Sequence, residues 1–202
     1  MFEERSNEWL ADEGLDEGRE YARVLFAGGD VRLSSEELAE MLVYPEAVCV
    51  VVQGDLEVRG AISVDEMHGL VVSGDVRCDS FWIGEGAFSA SALTVTNVAT
   101  FAVWGSDMEV FEATKMSAQV WCTPAEELPT GLSSVETAHV IETSDLDEEK
   151  LLSWIVDDSP AALCAALEAG EAIDDAWCLA HRELVKDPER RAHLGLETPD
   201  AP

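Results

Sequence analysis

Three groups of side chains in this chain have the types and spacing that chemistry needs. Asp30, Asp55 and Asp75 each follow a glycine, in Gly29-Asp30, Gly54-Asp55 and Gly74-Asp75. Carboxylates stacked at equivalent repeat positions could hold Ca²⁺, a cation that takes oxygen ligands. The other reading is a turn residue whose carboxylate bonds its own backbone. The Gly- and Asp-rich nonapeptide spacing of calcium-binding β-helices is absent. Cys178 and His181 lie three apart on an expected helix, with Cys164 on the preceding one. Zinc would need a fourth ligand, and no Cys-x-x-Cys pair supplies it, so these residues read as structural. His68, in Met67-His68-Gly69, reads as a lone turn histidine. A general base needs an arranged substrate site beside it, and nothing in the sequence marks one. No P-loop, Gly-x-Ser-x-Gly or His-Glu-x-x-His pattern occurs. No catalytic, metal or cofactor site is therefore assigned, and the chain reads as a non-enzyme.

Charge is the more informative signal. The chain carries 42 acidic and 12 basic residues, for a formal net charge of −30. Binding nucleic acid through phosphates requires Lys and Arg, so that class is excluded, and anionic membrane surfaces would repel such a chain. The excess is uneven: residues 124–175 hold fourteen acidic side chains and one basic, Lys150. Glu142, Asp145, Asp147, Glu148 and Glu149 form the densest run, next to Leu151, Leu152 and Trp154. Acids around aliphatic and aromatic anchors suit an interface with a basic protein partner. The bland alternative is a solvated helix start. Arg182, Lys186, Arg190 and Arg191 gather four of the basic residues within ten positions, either as a solvated helix end or as a contact with an acidic body.

These groups must be positioned by something, and a repeat supplies it. Gly29-Asp30-Val31-Arg32-Leu33, Gly54-Asp55-Leu56-Glu57-Val58 and Gly74-Asp75-Val76-Arg77-Cys78 share one pattern, and Gly105-Ser106-Asp107-Met108-Glu109-Val110 repeats it with one extra Ser. Each joins a turn to an apolar-x-apolar strand start, and apolar residues precede each one. Gly supplies unusual backbone angles and Asp bonds its local backbone in such turns. The reading is a mainly β chain: successive coils of a short right-handed parallel β-helix, with inward ladders of Val, Ile, Leu and Cys and outward Glu57, Arg59, Arg77 and Asp79. An antiparallel sandwich with hairpins at the Gly-Asp sites is the competing architecture. The offsets are 25, 20 and 31 residues, so residues 84–103 must hold a further degenerate coil or an insertion. Within that stretch Phe88, Leu93, Val98, Val103 and Met108 fall every five residues.

The Gly-Asp-apolar-x-apolar repeats over residues 24–120 resemble the bactofilin-like, polymer-forming β-helix proteins of bacteria. The five-residue period over 88–108 is also similar to that of pentapeptide-repeat proteins, although Ala87, Ala92 and Ala102 do not fit a strict polar position. The first resemblance implies a self-assembling scaffold.

The remaining segments follow from local signals. Residues 1–20 form an acidic N-terminal arm in which Trp9, Leu10 and Leu15 could make a small apolar face; the β-helix spans 21–123. Ser34-Ser35-Glu36-Glu37 is a capping box opening a helical excursion over 34–44, with Leu38, Met41 and Leu42 on one face. Residues 124–193 form a loop and a C-terminal helical segment, with Val140 and Ile141 as one short strand. Helices are expected over 147–155, from Ser159-Pro160 to Gly170, and from Ile173 to Lys186. Leu151, Ile155, Leu163, Leu167 and Trp177 line their apolar faces and need a surface to cover, for which the coil end is near. Residues 194–202 read as a frayed tail. No apolar run reaches the roughly 18 residues of a membrane helix, and Met1-Phe2-Glu3-Glu4-Arg5 lacks a signal-peptide core. A cytoplasmic location is expected, with Cys49, Cys78, Cys122, Cys164 and Cys178 as reduced, buried thiols. Covered coil ends imply a monomer or small homo-oligomer.

Overall fold

The computed structural model describes residues 2–13, 15, 20–42, 46–64, 67–101, 110–123, 128 and 131–142. It is a parallel β-solenoid of about four turns with two short helices. Each full coil has three sides. The first side stacks β2 (Arg23–Ala27), β4 (Val48–Val52) and β6 (His68–Val72), then the start of β8 (Ala87–Val95) and of β10 (Val110–Thr123). The second side stacks β3 (Val31–Ser34), the first halves of β5 (Leu56–Val64) and β7 (Asp75–Ile83), the second half of β8 and the middle of β10. The third side stacks the second halves of β5 and β7, then β9 (Val98–Phe101) and the end of β10. A final abbreviated coil, β11 (Gly131–Leu132) and β12 (Val135–Glu142), pairs in parallel along β10. The antiparallel sandwich is thereby excluded, and the stacking runs past residue 123 to Glu142.

Strand alternation builds the core. Val50, Leu70 and Phe88 stack on the inner first side, Leu56, Val76 and Leu93 on the second, and Ile62 and Phe81 on the third, all essentially inaccessible. Toward the C-terminal end the coil is filled by aromatic rings. Phe88 stacks on Phe111 with centroids 5.2 Å apart, and Phe81 meets Phe88 edge-on at 4.9 Å. Phe101 meets Phe111 edge-on at 4.9 Å as well.

The stretch 84–103 does contain a full coil. β8 and β9 take all three sides between residues 87 and 101. Phe88, Leu93 and Val98 sit one on each side, but Phe88 and Leu93 face the core and Val98 faces outward, so the five-residue period does not mark equivalent positions. The fourth Gly-Asp sequence differs from the expectation. Register places Ser91-Ala92 and then Thr114-Lys115 opposite Gly74-Asp75, so residues 105–107, themselves outside the described residues, fall in the connection from β9 to β10. At that corner hydroxyls replace the carboxylate: Ser91 Oγ donates to the Ser73 carbonyl at 2.9 Å, and Thr114 Oγ1 donates to the Ser91 carbonyl.

The first end of the solenoid is finished by two local elements. The chain enters through β1 (Glu3–Arg5), which pairs antiparallel with β2. α1 (Asn7–Asp12) then folds over the outer surface of the first side. Leu10, with Trp9 and Leu15, covers Val24, Cys49, Val51 and Val71, which is why β4 is buried on both faces. Asn7 fixes this arm by donating to the Tyr21 carbonyl at 2.8 Å and accepting from the Tyr21 N–H at 3.0 Å. On the third side of the first coil stands α2 (Ser35–Met41), opened by the expected capping box. Ser34 Oγ accepts from the Glu37 N–H at 3.2 Å, the Glu37 carboxylate accepts from the Ser34 N–H at 2.8 Å, and Leu38 enters the core.

Candidate interaction surface

The second side carries the most organised polar surface. Asp30, Asp55 and Asp75 do align, but their carboxylates do not bond their own turns. Asp30 Oδ1 accepts the Asp55 backbone N–H at 3.0 Å, and Asp55 Oδ1 accepts the Asp75 backbone N–H at 2.9 Å. The Asp30 and Asp55 carboxylates therefore each tie their coil to the next. The glycines beside them serve the same stacking. Among the described residues only Gly29 and Gly60 have positive φ, at 119° and 110°. Gly54 and Gly74 are ordinary in φ but crowded: a Cβ on Gly74 would lie 2.2 Å from Asp55 Oδ1 and 2.7 Å from the Gly54 carbonyl oxygen. Of the three described Gly-Asp turns only the first has the unusual backbone angle expected of them, and close approach between coils explains Gly54 and Gly74.

Beside the aspartates runs a second outward row, Arg32, Glu57 and Arg77, in register on three successive coils. Arg32 Nε lies 3.0 Å from Glu57 Oε2. Together the two rows line a shallow open groove. Opposite charges directly across neighbouring strands are favourable, and exposed pairs of this kind contribute about 0.5 kcal/mol. Asp30 and Asp55 each already accept a backbone N–H through Oδ1. Among the described residues no three His, Cys, Asp or Glu side chains converge as a metal site would require. The groove is a charged surface lined by both signs.

His68 is not a turn residue. It opens β6 opposite Val48 and is 3% exposed. Gly69 continues the strand, paired with Cys49, and Tyr21 lies over it: a Cβ there would meet the Tyr21 hydroxyl at 2.6 Å. Cys49, Cys78 and Cys122 are buried thiols, and burial, with the Asp79 carboxylate adding to it, pushes the Cys78 thiol far above its ordinary pKa. Of the acidic run, Glu142 ends β12 opposite Thr123. Asp145, Asp147, Glu148, Glu149 and Trp154 lie outside the described residues, as do Cys164, Cys178, His181, Arg182, Lys186, Arg190, Arg191 and the expected C-terminal helices. None of the helices among the described residues is long and apolar enough to cross a membrane.

The last coil exposes an inward position. Val140 pairs with Trp121, which points into the core, yet Val140 is 49% exposed. Among the described residues β12 pairs with β10 and with no strand on its other edge. A second surface had no counterpart in the sequence reading. On the third side Ala99, Phe101 and Trp121 face the core, so Val98, Thr100, Val120 and Cys122 face outward, yet all four are inaccessible. The signal for it was present: 98–104 reads Val-Ala-Thr-Phe-Ala-Val-Trp, without the polar alternation of a strand facing water on one side.

No known protein family, curated protein or solved structure matches this chain.

Proposed function

We propose that the chain is a non-enzymatic interaction protein that binds a basic protein partner through the acidic segment opening at Glu142. One observation carries this reading: the last strand among the described residues ends at Glu142, beside the exposed Val140, where the acidic run begins. An acidic segment tethered to a rigid end, next to apolar surface, combines electrostatic steering with an anchor. Like charges concentrated in one stretch destabilise a compact state, and attraction to a cationic partner is an offsetting benefit. An immunity or inhibitor protein that masks a basic toxin or enzyme is the role this chemistry fits. A cytoplasmic setting agrees with the buried thiols.

The test is affinity capture with the full chain in its native host, followed by association kinetics with D145K/E148K/E149K. Association is expected to slow several-fold at low salt, with the difference shrinking as salt rises. Unchanged association at low ionic strength would leave the acidic run with no role beyond solubility.

A second reading, a self-assembling scaffold of the bactofilin-like kind, is favoured by one feature: an edge of β12 that pairs with no strand among the described residues, with Val140 exposed beside it. An open strand edge is a template for pairing with another chain.

A further inference from the structure

We propose that the N-terminal arm, residues 2–13, is a displaceable occupant of a strand-addition site, and that this site takes an extended cationic segment of a partner protein. The first observation is a reversal of direction. β1 runs antiparallel to β2, whereas every other strand pairing among the described residues is parallel. The edge of β2 therefore accepts a strand that the coil repeat itself does not supply. The second observation is a row that changes character. Phe26, Val51, Val71, Ser89 and Glu112 follow one another in register along the outer surface of the first side. The row is apolar where the arm packs on it, at Phe26, Val51 and Val71, and polar beyond. A strand face turned to water carries polar residues, so this strip is built for a cover of the arm's length.

The arm shows what the site recognises. Glu3, Glu4 and Arg5 offer backbone to Phe26, Leu25 and Val24. Trp9 and Leu10, with Leu15 after them, lie over the apolar strip. One cation completes the contact: the Arg5 guanidinium is 5.2 Å from the Phe26 ring centroid and 5.9 Å from that of Trp9, within reach of a cation–π attraction. The arm's acids contribute nothing comparable, since Glu3, Glu4, Glu8, Asp12 and Glu13 are all exposed. In a chain of net charge −30 these carboxylates oppose docking, because like charges repel across a compact surface. Nor does the arm hold its own shape. Its helix has six residues, and isolated helices shorter than roughly 12–15 residues are marginal. The arm thus has the apolar pattern and the one cation that the site accepts, on a backbone of the wrong net charge. A segment with the same pattern and Lys or Arg at the five acidic positions is the better ligand, drawn in by the field that opposes the arm. The proposal rests on the reading above only for the basic character of the partner, and its surface lies at the other end of the stack.

The experiment uses the full chain and a synthetic peptide of residues 2–13 carrying E3K, E4K, E8K, D12K and E13K. Binding is read from the fluorescence anisotropy of the labelled peptide, and displacement from hydrogen exchange. The peptide should bind and accelerate exchange across residues 2–13 of the chain, while β4 and β6 stay protected. The same residues in scrambled order should bind roughly tenfold more weakly, because strand addition needs the alternate side chains in place. Leu10 belongs to the outer cluster and not to the main core, so L10D opens the arm alone. It should raise the affinity roughly tenfold by removing a tethered competitor. F26K also loosens the arm but puts a cation where the ligand's must sit, and should lower the affinity; a merely structural role for Phe26 would move both variants the same way. Failure of the peptide to bind L10D, equal binding of the scrambled peptide, or binding that leaves exchange across 2–13 unchanged would overturn the proposal. Loss of binding in D145K/E148K/E149K with F26K unaffected would place the cationic ligand on the acidic run instead. Dimerisation of L10D with no gain in peptide affinity would give the edge of β2 to a second copy, and would overturn it too.

Discussion

Asp55 Oδ1 accepts the backbone N–H of Asp75 at 2.9 Å, across a gap of 20 residues in sequence and one coil in space. The same carboxylate oxygen stands where a Cβ on Gly74 would have to go. The Gly-Asp pair is thus a single device: glycine lets the coils approach, and aspartate bonds them once they have.

Two substitutions separate those roles. D55A removes one charge-assisted hydrogen bond on a partly solvated corner and should cost about 1 kcal/mol, with D55N, which keeps an acceptor, costing less. G74A must push backbone as well as the carboxylate, since Gly54 carbonyl atoms lie within 3 Å of the added Cβ. It should destabilise more than D55A. Urea unfolding midpoints of the three variants give the order, and a G74A no worse than D55A would show that the corner can spread.

The repeat was legible because this device needs two specific residue types. It became illegible at Ser91-Ala92, where Ser91 Oγ bonds the neighbouring coil and no Gly-Asp is needed. Only the length of 84–103 betrays the coil there, while Gly105-Ser106-Asp107 carries the motif but falls between β9 and β10. α2 was legible for the opposite reason. Its signal is wholly local, a capping box followed by an apolar face, and no distant contact can disguise it. The arm 2–13 lay between these cases. Its apolar residues were visible, but that they cover Cys49 and Val51 depends on strand register, which a sequence does not display. The acidic run was conspicuous as composition, yet composition places no side chain. The outer third-side row shows the same limit from the other direction, because inward and outward valines look alike until the coil is assembled.

The capping box gives a prediction in pH. The Ser34 backbone N–H, and secondarily its hydroxyl, hold the Glu37 carboxyl below the ordinary value of 4.5. A depressed carboxyl contributes stability above its unfolded pKa, and that contribution is lost as the pH falls through the folded value. E37Q should therefore lower the unfolding midpoint at pH 7 and converge with the unmodified protein in strong acid. S34A should cost about 1 kcal/mol at neutral pH. Denaturant curves at several pH values test both. A constant gap between E37Q and the unmodified protein at all pH values would mean that the Glu37 charge does not matter.

The aromatic filling gives the largest expected loss. Phe88 is inaccessible and contacts both Phe81 and Phe111. F88A should cost about 3–5 kcal/mol, because rigid flanking strands cannot collapse into the void. F88L, closer in volume, should cost less than half of that. Calorimetry of the two variants would show whether the coil centre is as tightly filled as its geometry indicates.

Assembly follows from the unequal ends. Head-to-tail stacking needs both ends open. Among the described residues, the first end presents β1 running antiparallel on one side and α2 on another, which leaves only the short β3 uncovered, and the last end offers the β12 edge and Val140. One open end permits a closed pair, with two β12 strands meeting across a twofold axis, but it cannot propagate. The expected outcome is a monomer at low concentration and at most a dimer at high concentration, with V140K holding the monomer throughout. Light scattering over a concentration series checks this, and filaments in negative-stain micrographs would mean that β1 and α2 yield when a second copy arrives.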